Sequence, residues 1–185
     1  MLFLTLVSFA FVGLTTAASF KNECLGVHNR VRALHRSTGP LVWNAKLARE
    51  SRVWSEKLAK SGEFKHSPKT SRGNAGENLY KRMSSRASSS SQCGQATFNW
   101  YDEARKYNYN YAKGAFTSQT GHFTQVVWKG SRTLGCGEYT QKRGKWFETV
   151  VTCRYGPPGN YKGRFQSNVL ALKPGKSYPR KLTDV

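Results

Sequence analysis

The run from Gly121 to Gly137 constrains this chain more than any other stretch. It reads Gly-His-Phe-Thr-Gln-Val-Val-Trp-Lys-Gly-Ser-Arg-Thr-Leu-Gly-Cys-Gly. Its first half is apolar and aromatic, lacks proline, and sets Phe123, Val126 and Val127 at the i, i+3, i+4 spacing of a short buried helix. Lys129-Gly130-Ser131 stops that helix, because glycine just past a basic residue is a common C-terminal signal. Leu134 to Thr140 resumes as a strand that carries two glycines and a cysteine. His122 therefore stands at a helix start among core neighbours. On these residues alone, a satisfied buried imidazole and a functional one are equally good readings.

The compartment follows from the two ends of the argument about cysteine. Met1 to Ala18 carries no charge and is almost entirely apolar or small. It is short for a membrane span, Lys21 follows closely, and Thr16 and Ala18 suit a signal-peptidase site. Residues 1–18 are thus expected to be a secretory signal, residues 22–172 one domain, and residues 173–185 a basic, polar, poorly ordered tail. The full chain of 185 residues is long enough for one real core. Behind the leader lie Cys24, Cys93, Cys136 and Cys153, an even count that suggests two disulfides with three possible pairings. Cys136 and Cys153 flank an expected hairpin that turns near Lys142-Arg143-Gly144, so they can face each other across two strands. That leaves Cys24 with Cys93. There is no C-x-x-C spacing and no N-x-S/T sequon, which argues against a zinc ribbon, a redox motif or N-glycosylation.

The remaining elements read in order. Asn22 to Ser37 has Cys24, Val27, Val31 and Leu34 or His35 at helical spacing, with Arg30, Arg32 and Arg36 expected outward. Gly39-Pro40 ends it, and Leu41-Val42-Trp43 forms a short apolar bridge. Asn44 caps a second helix to Ser61, with Leu47, Ser51, Trp54 and Leu58 inward and Gly62 as its stop. Gly76 to Tyr80 is a short strand. Ser84 to Ser91 is too serine-rich for a core and is expected to be a loop. A third helix spans Gln92 to Tyr107, with Ala96, Trp100, Glu103 or Ala104, and Tyr107 on one side. Strands at 134–140 and 146–154 precede a Pro/Gly-rich loop at 156–163. Helices around a few antiparallel strands make an α+β layered domain.

Charge is the other prominent feature. Thirty Lys and Arg against ten Asp and Glu give +20. This exceeds the magnitude of roughly 2–8 that solubility asks of a small domain. Such a surface draws polyanions, and secretion sets nucleic acid aside in favour of heparin-like sulfated glycans or an anionic membrane surface. Lys81-Arg82 with Arg86, and Lys142-Arg143-Gly144-Lys145, are the local clusters, each expected in a loop or turn.

Four runs together resemble the signatures of the CAP superfamily, which holds cysteine-rich secretory proteins, insect antigen five and plant pathogenesis-related proteins. They are the Gly121–Gly137 run, Cys153-Arg154-Tyr155-Gly156-Pro157-Pro158-Gly159-Asn160-Tyr161, Gly76-Glu77-Asn78-Leu79, and His28-Asn29 followed by Arg32. The likeness covers about Asn22 to Leu172. Lys65-His66-Ser67-Pro68, and Trp100-Tyr101 before Glu103, make it most similar to the Golgi-associated plant-pathogenesis-like branch. The resemblance implies a three-layer α-β-α sandwich, with a short antiparallel sheet between helices.

It also implies a central cleft of His66, Glu77, Glu103 and His122, which spacing alone does not join. Two imidazoles suit a divalent metal such as zinc, and the two carboxylates suit its outer shell. Binding of such a metal is expected to weaken at low pH, where the imidazoles are protonated. A metal-dependent hydrolase with Glu77 or Glu103 activating water is the catalytic alternative. No Gly-x-Ser-x-Gly elbow or His-Glu-x-x-His motif supports it. The family's binding theme implies a small lipid or sterol as partner. Tyr101, Tyr107, Tyr109, Tyr111 and Phe116 supply aromatic surface, although ordinary packing beneath a long loop explains them slightly better.

Overall fold

The computed structural model describes residues 8–185, with side chains from Ser19 onward. The expected leader, residues 1–18, thus lies outside the described residues for its first seven positions and for all its side chains. No helix among the described residues is long and apolar enough to cross a membrane.

The elements are α1 (Ser8–Ala33), β1 (Val42–Trp43), α2 (Ala45–Ser61), α3 (Lys69–Arg72), β2 (Gly76–Ser84), α4 (Cys93–Lys106), α5 (Gly121–Val126), β3 (Thr133–Arg143), β4 (Trp146–Gly156) and α6 (Phe165–Asn168). A 3₁₀ turn, Leu182–Asp184, follows. The four-stranded sheet has the order β1-β3-β4-β2. It is antiparallel except at one edge, where the two residues of β1 run parallel to β3. The apolar bridge at Val42-Trp43 is thus a strand, and the sheet is mixed.

Side-chain alternation along the strands divides the fold into layers. On one face, Gly135 and Gly137 admit α2. A Cβ at Gly135 would lie 2.3 Å from the Ala48 nitrogen, and one at Gly137 2.3 Å from the Arg52 nitrogen. Ser51 and Ser55 of α2 donate hydroxyl hydrogen bonds to the carbonyls of Gly135 and Gly137. Trp54 and Leu58 close this layer over Leu79 and Val150. The helix starts where Asn44 accepts from the Leu47 N–H, and stops at Gly62 with φ 77°.

On the other face, Leu134, Cys136, Val151, Cys153 and Tyr155 pack beneath α1, α4 and α5 in one cluster with Val31, Trp100 and Phe123. Cys24–Cys93 ties α1 to α4, and Cys136–Cys153 joins directly opposed residues of β3 and β4. In the chain-entropy account these closures contribute about 4 and about 3 kcal/mol.

Several local readings change. α1 ends at Ala33 rather than Ser37, because His35 leaves the helix to form a bridge with Leu172. Arg32 is not outward but fully buried. Its guanidinium donates to the carbonyls of Gly39, Val126, Trp128 and Ser131. It thereby caps the end of α5, and burial lowers its pKa to about 10. Tyr107 is half exposed at the C-terminus of α4 rather than on its inner side. β2 runs on to Ser84 because β4 is long enough to pair with it. The tail is anchored. Tyr178 packs on Tyr101 with ring centroids 5.6 Å apart, and its hydroxyl bonds that of Tyr111.

Candidate functional site: a cleft of two imidazole–carboxylate pairs

The chain holds four histidines, and the fold treats them in two ways. His28 and His35 are fully buried. His28 uses both ring nitrogens, Nδ1 to the Cys24 carbonyl at 2.8 Å and Nε2 to the Tyr155 hydroxyl at 2.9 Å. His35 does likewise with the Leu170 carbonyl at 2.6 Å and the Tyr101 hydroxyl at 2.9 Å. Burial excludes the imidazolium, and each pKa falls from 6.5 to about 4.

His66 and His122 face outward, their side chains 54% and 33% exposed. His66 precedes Ser67-Pro68 in the segment after α2, and its Nδ1 lies 2.9 Å from Glu77 Oε1. His122 opens α5, and its Nδ1 lies 2.6 Å from Glu103 Oε1 on α4. A carboxylate only accepts, so each Nδ1 carries the proton. Nε2 of each ring makes no hydrogen bond among the described residues. One nitrogen is held and the other is available, which is how outer carboxylates prepare imidazoles for metals.

The carboxylates themselves are occupied. The Glu77 side chain is 0% exposed. It accepts from the Ser67 N–H at 2.9 Å, the Ser67 hydroxyl and Arg154 Nε at 3.3 Å. Burial alone would raise its pKa. The donors from His66 and Ser67, with the Arg154 charge, outweigh burial and hold it at about 2. Arg154 also reaches Glu50 of α2 at 3.2 Å. Glu103 accepts from the backbone N–H groups of His122 and Phe123 at 3.1 and 3.0 Å, satisfying two free donors at the start of α5.

The pairs sit on either side of Asn78. Glu77 points to the α2 face of β2 and Asn78 to the other, where its amide donates to the His122 carbonyl at 3.1 Å. A hollow of about 460 Å³ opens beside the first pair, with His66, Glu77, Gln125, Asn160 and Tyr161 in its wall. His122 and Glu103 are not part of that wall. The four side chains do not form one ready ligand cluster. Among the described residues, the only group of three or more potential ligand atoms within 4.8 Å is Cys24, Cys93 and Cys136, all of them in disulfides. The donor types nevertheless fit a divalent metal, since each pair offers one unbonded imidazole nitrogen on a ring oriented by a carboxylate.

Residues 25–155 match the model of the CAP, or cysteine-rich secretory protein, family. The chain belongs to the CAP family. It is 39% identical to human Golgi-associated plant pathogenesis-related protein 1 over 164 residues, which is 88% of this chain and 99% of that protein. It is 35% identical to pathogenesis-related protein 1 of Arabidopsis thaliana over 146 residues, covering 78% and 81% of the two chains. Among solved structures, NaASP2 with Zn2+ has a TM-score of 0.61 at 22% identity, over 84% of this CAP chain and 86% of that one. That likeness concerns the fold.

Sequence reading overlooked Ser67 and Arg154, although both lie inside signature runs. The signal that finds Arg154 is strand register, because it stands directly opposite Glu77 in the β2–β4 ladder.

Proposed function

We propose that this CAP protein is a secreted binding protein that carries a small lipid or sterol in a host-interaction, venom-like or defence role. One observation carries the reading. An apolar groove of about 430 Å³ lies between Gly114-Ala115-Phe116 and Asn160 to Phe165. Phe116 is 57% exposed at its rim, its ring centroid 6.4 Å from that of Phe165. Phe165 is buried beneath it, edge-on to Trp128 at 5.2 Å. Gly121 leaves room for the Phe116 ring, 2.9 Å from where a Cβ would sit. Lys162 also lines the groove, and its ammonium suits a carboxylate or sterol hydroxyl. The tyrosines in and after α4 are not this site: Tyr101, Tyr109 and Tyr111 pack with Phe123 in the core. The uncharged leader and the two disulfides support export. The test is retention of a fluorescent sterol and a fluorescent fatty acid. Phe116→Asp should abolish retention with the fold unchanged, and undiminished retention would move the lipid elsewhere.

A second reading concerns the cleft. The free Nε2 atoms of His66 and His122 favour binding of zinc or a similar ion. Bound metal would supply charge and open positions for water. Glu77 and Glu103 are poorly suited to serve as bases there, because each already accepts several hydrogen bonds. This supports binding over hydrolysis. Chelator-sensitive peptide turnover that is lost in His122→Ala would reverse that preference.

A further inference from the structure

We propose that the tip of the β3–β4 hairpin, with the end of β2, is a docking surface for anionic lipid bilayers. This site is separate from the cleft and the groove. β4 has 11 residues, so its first residue lies roughly 30 Å from the Gly156 end where the signature loop begins.

Strand alternation puts Lys81, Met83 and Trp146 on the face that α2 covers elsewhere. α2 stops at Ser61, short of them. Met83 stands opposite Glu148, and Trp146 is two residues from Glu148 on the same side. Phe64, just past the helix, lies over the same region, with Lys81 Nζ 5.0 Å from its ring centre. Phe64, Met83 and Trp146 are 45%, 47% and 42% exposed. Three large apolar side chains left open at one end of a sheet need a reason. Lys145 Nζ lies 5.9 Å from the Trp146 ring, and Lys142 is exposed on the other face of the hairpin tip, beside Phe147 in the ladder.

The nearby carboxylates are already paired: Glu148 with Arg143, Glu63 with Lys65, and Glu56 with Lys60. Lys81, Lys142 and Lys145 take part in no ion pair among the described residues. The patch is therefore apolar at its centre and positive around it. Lysine stems lie along apolar surface while their ammonium groups reach headgroup phosphates, and Trp rests at the headgroup level. A second copy of this chain would bring like charges together, with each chain at +20. A sulfated glycan would use the lysines but would have no use for Met83 and Trp146. The bilayer is the partner that matches both features.

The test is co-sedimentation of the secreted protein with phosphatidylcholine vesicles, with and without phosphatidylserine. Heparin elution is measured in parallel. Binding to the anionic vesicles is expected, weakening as salt rises. Met83→Ser/Trp146→Ser should lower vesicle affinity roughly tenfold or more while leaving heparin elution and the melting temperature unchanged. Lys142→Glu/Lys145→Glu should lower both, with vesicle affinity falling by at least about fivefold per lysine replaced. Trp146→Phe should keep binding but lose the blue shift of tryptophan emission on vesicles. Unchanged vesicle binding by Met83→Ser/Trp146→Ser would overturn the proposal. So would heparin retention without any vesicle binding, or an emission shift that survives in Trp146→Phe.

Discussion

His28 and His35 on one side, and His66 and His122 on the other, are the same residue used for opposite ends. The first two are fully buried with both nitrogens bonded. The second two lie at the cleft with one nitrogen held by a carboxylate and one left over. Burial makes an imidazole a fixed neutral strut: His28 joins α1 to Tyr155, and His35, just past α1, joins Tyr101 to the Leu170 carbonyl. Partial exposure with an anchoring carboxylate makes it a donor that waits for a ligand. A histidine in a helix or at a helix start does not declare which it is; the count of its satisfied nitrogens does.

The largest expected effect separates the two classes by pH. His28 and His35 ordinarily titrate at 6.5, and in the fold at about 4. The folded state thus resists protonation that the unfolded chain accepts. The stability this represents is present above pH 6.5 and is lost as pH falls towards 4. Each ring accounts for up to about 3 kcal/mol. Urea unfolding of metal-free protein at pH 7 and pH 4 should show this loss, and His28→Gln should reduce it. Glu77 follows in a lower window, its contribution lost as pH falls from 4.5 to about 2.

The next contrast is by substitution at neutral pH. His35→Ala opens a cavity and strands the Tyr101 hydroxyl, for a cost of about 3 kcal/mol. His66→Ala and His122→Ala should each stay within about 1 kcal/mol of the parent. Equal costs in denaturant titration would erase the distinction.

If the cleft holds zinc as proposed, binding reverses the order of importance. Calorimetry should find at least ~10-fold weaker binding in His66→Ala or His122→Ala, and about 10–100-fold weaker in Glu103→Gln. Substitutions at His28 or His35 that still fold should leave it unaltered. The smallest effect belongs to Ser67→Ala. It removes one donor from Glu77, costs about 1 kcal/mol, and shifts acid unfolding to higher pH.

Much of the fold is legible in the sequence because periodicity and turn chemistry agree locally. Asn44 and Gly62 mark both ends of α2, and the flanked hairpin sets Cys136 opposite Cys153. Long-range features are less visible. Arg32 falls on a helix among other arginines, and nothing local says that the carbonyls of Val126, Trp128 and Ser131 will converge on it. The tail reads as polar, yet Tyr178 packs against Tyr101 and Tyr111, and Val185 also packs on the core. The cleft residues are legible through family signatures, but their pairing is not. His66 joins Glu77, and His122 joins Glu103, because β2 and α4 deliver the two carboxylates from different layers.

Native mass spectrometry of the protein purified from a eukaryotic secretion host tests the binding account most directly. The account predicts a lipid adduct that is lost in Phe116→Asp, and zinc uptake that is lost in His122→Ala, on a chain carrying two disulfides. A bare chain that takes up neither added sterol, nor fatty acid, nor zinc would contradict it.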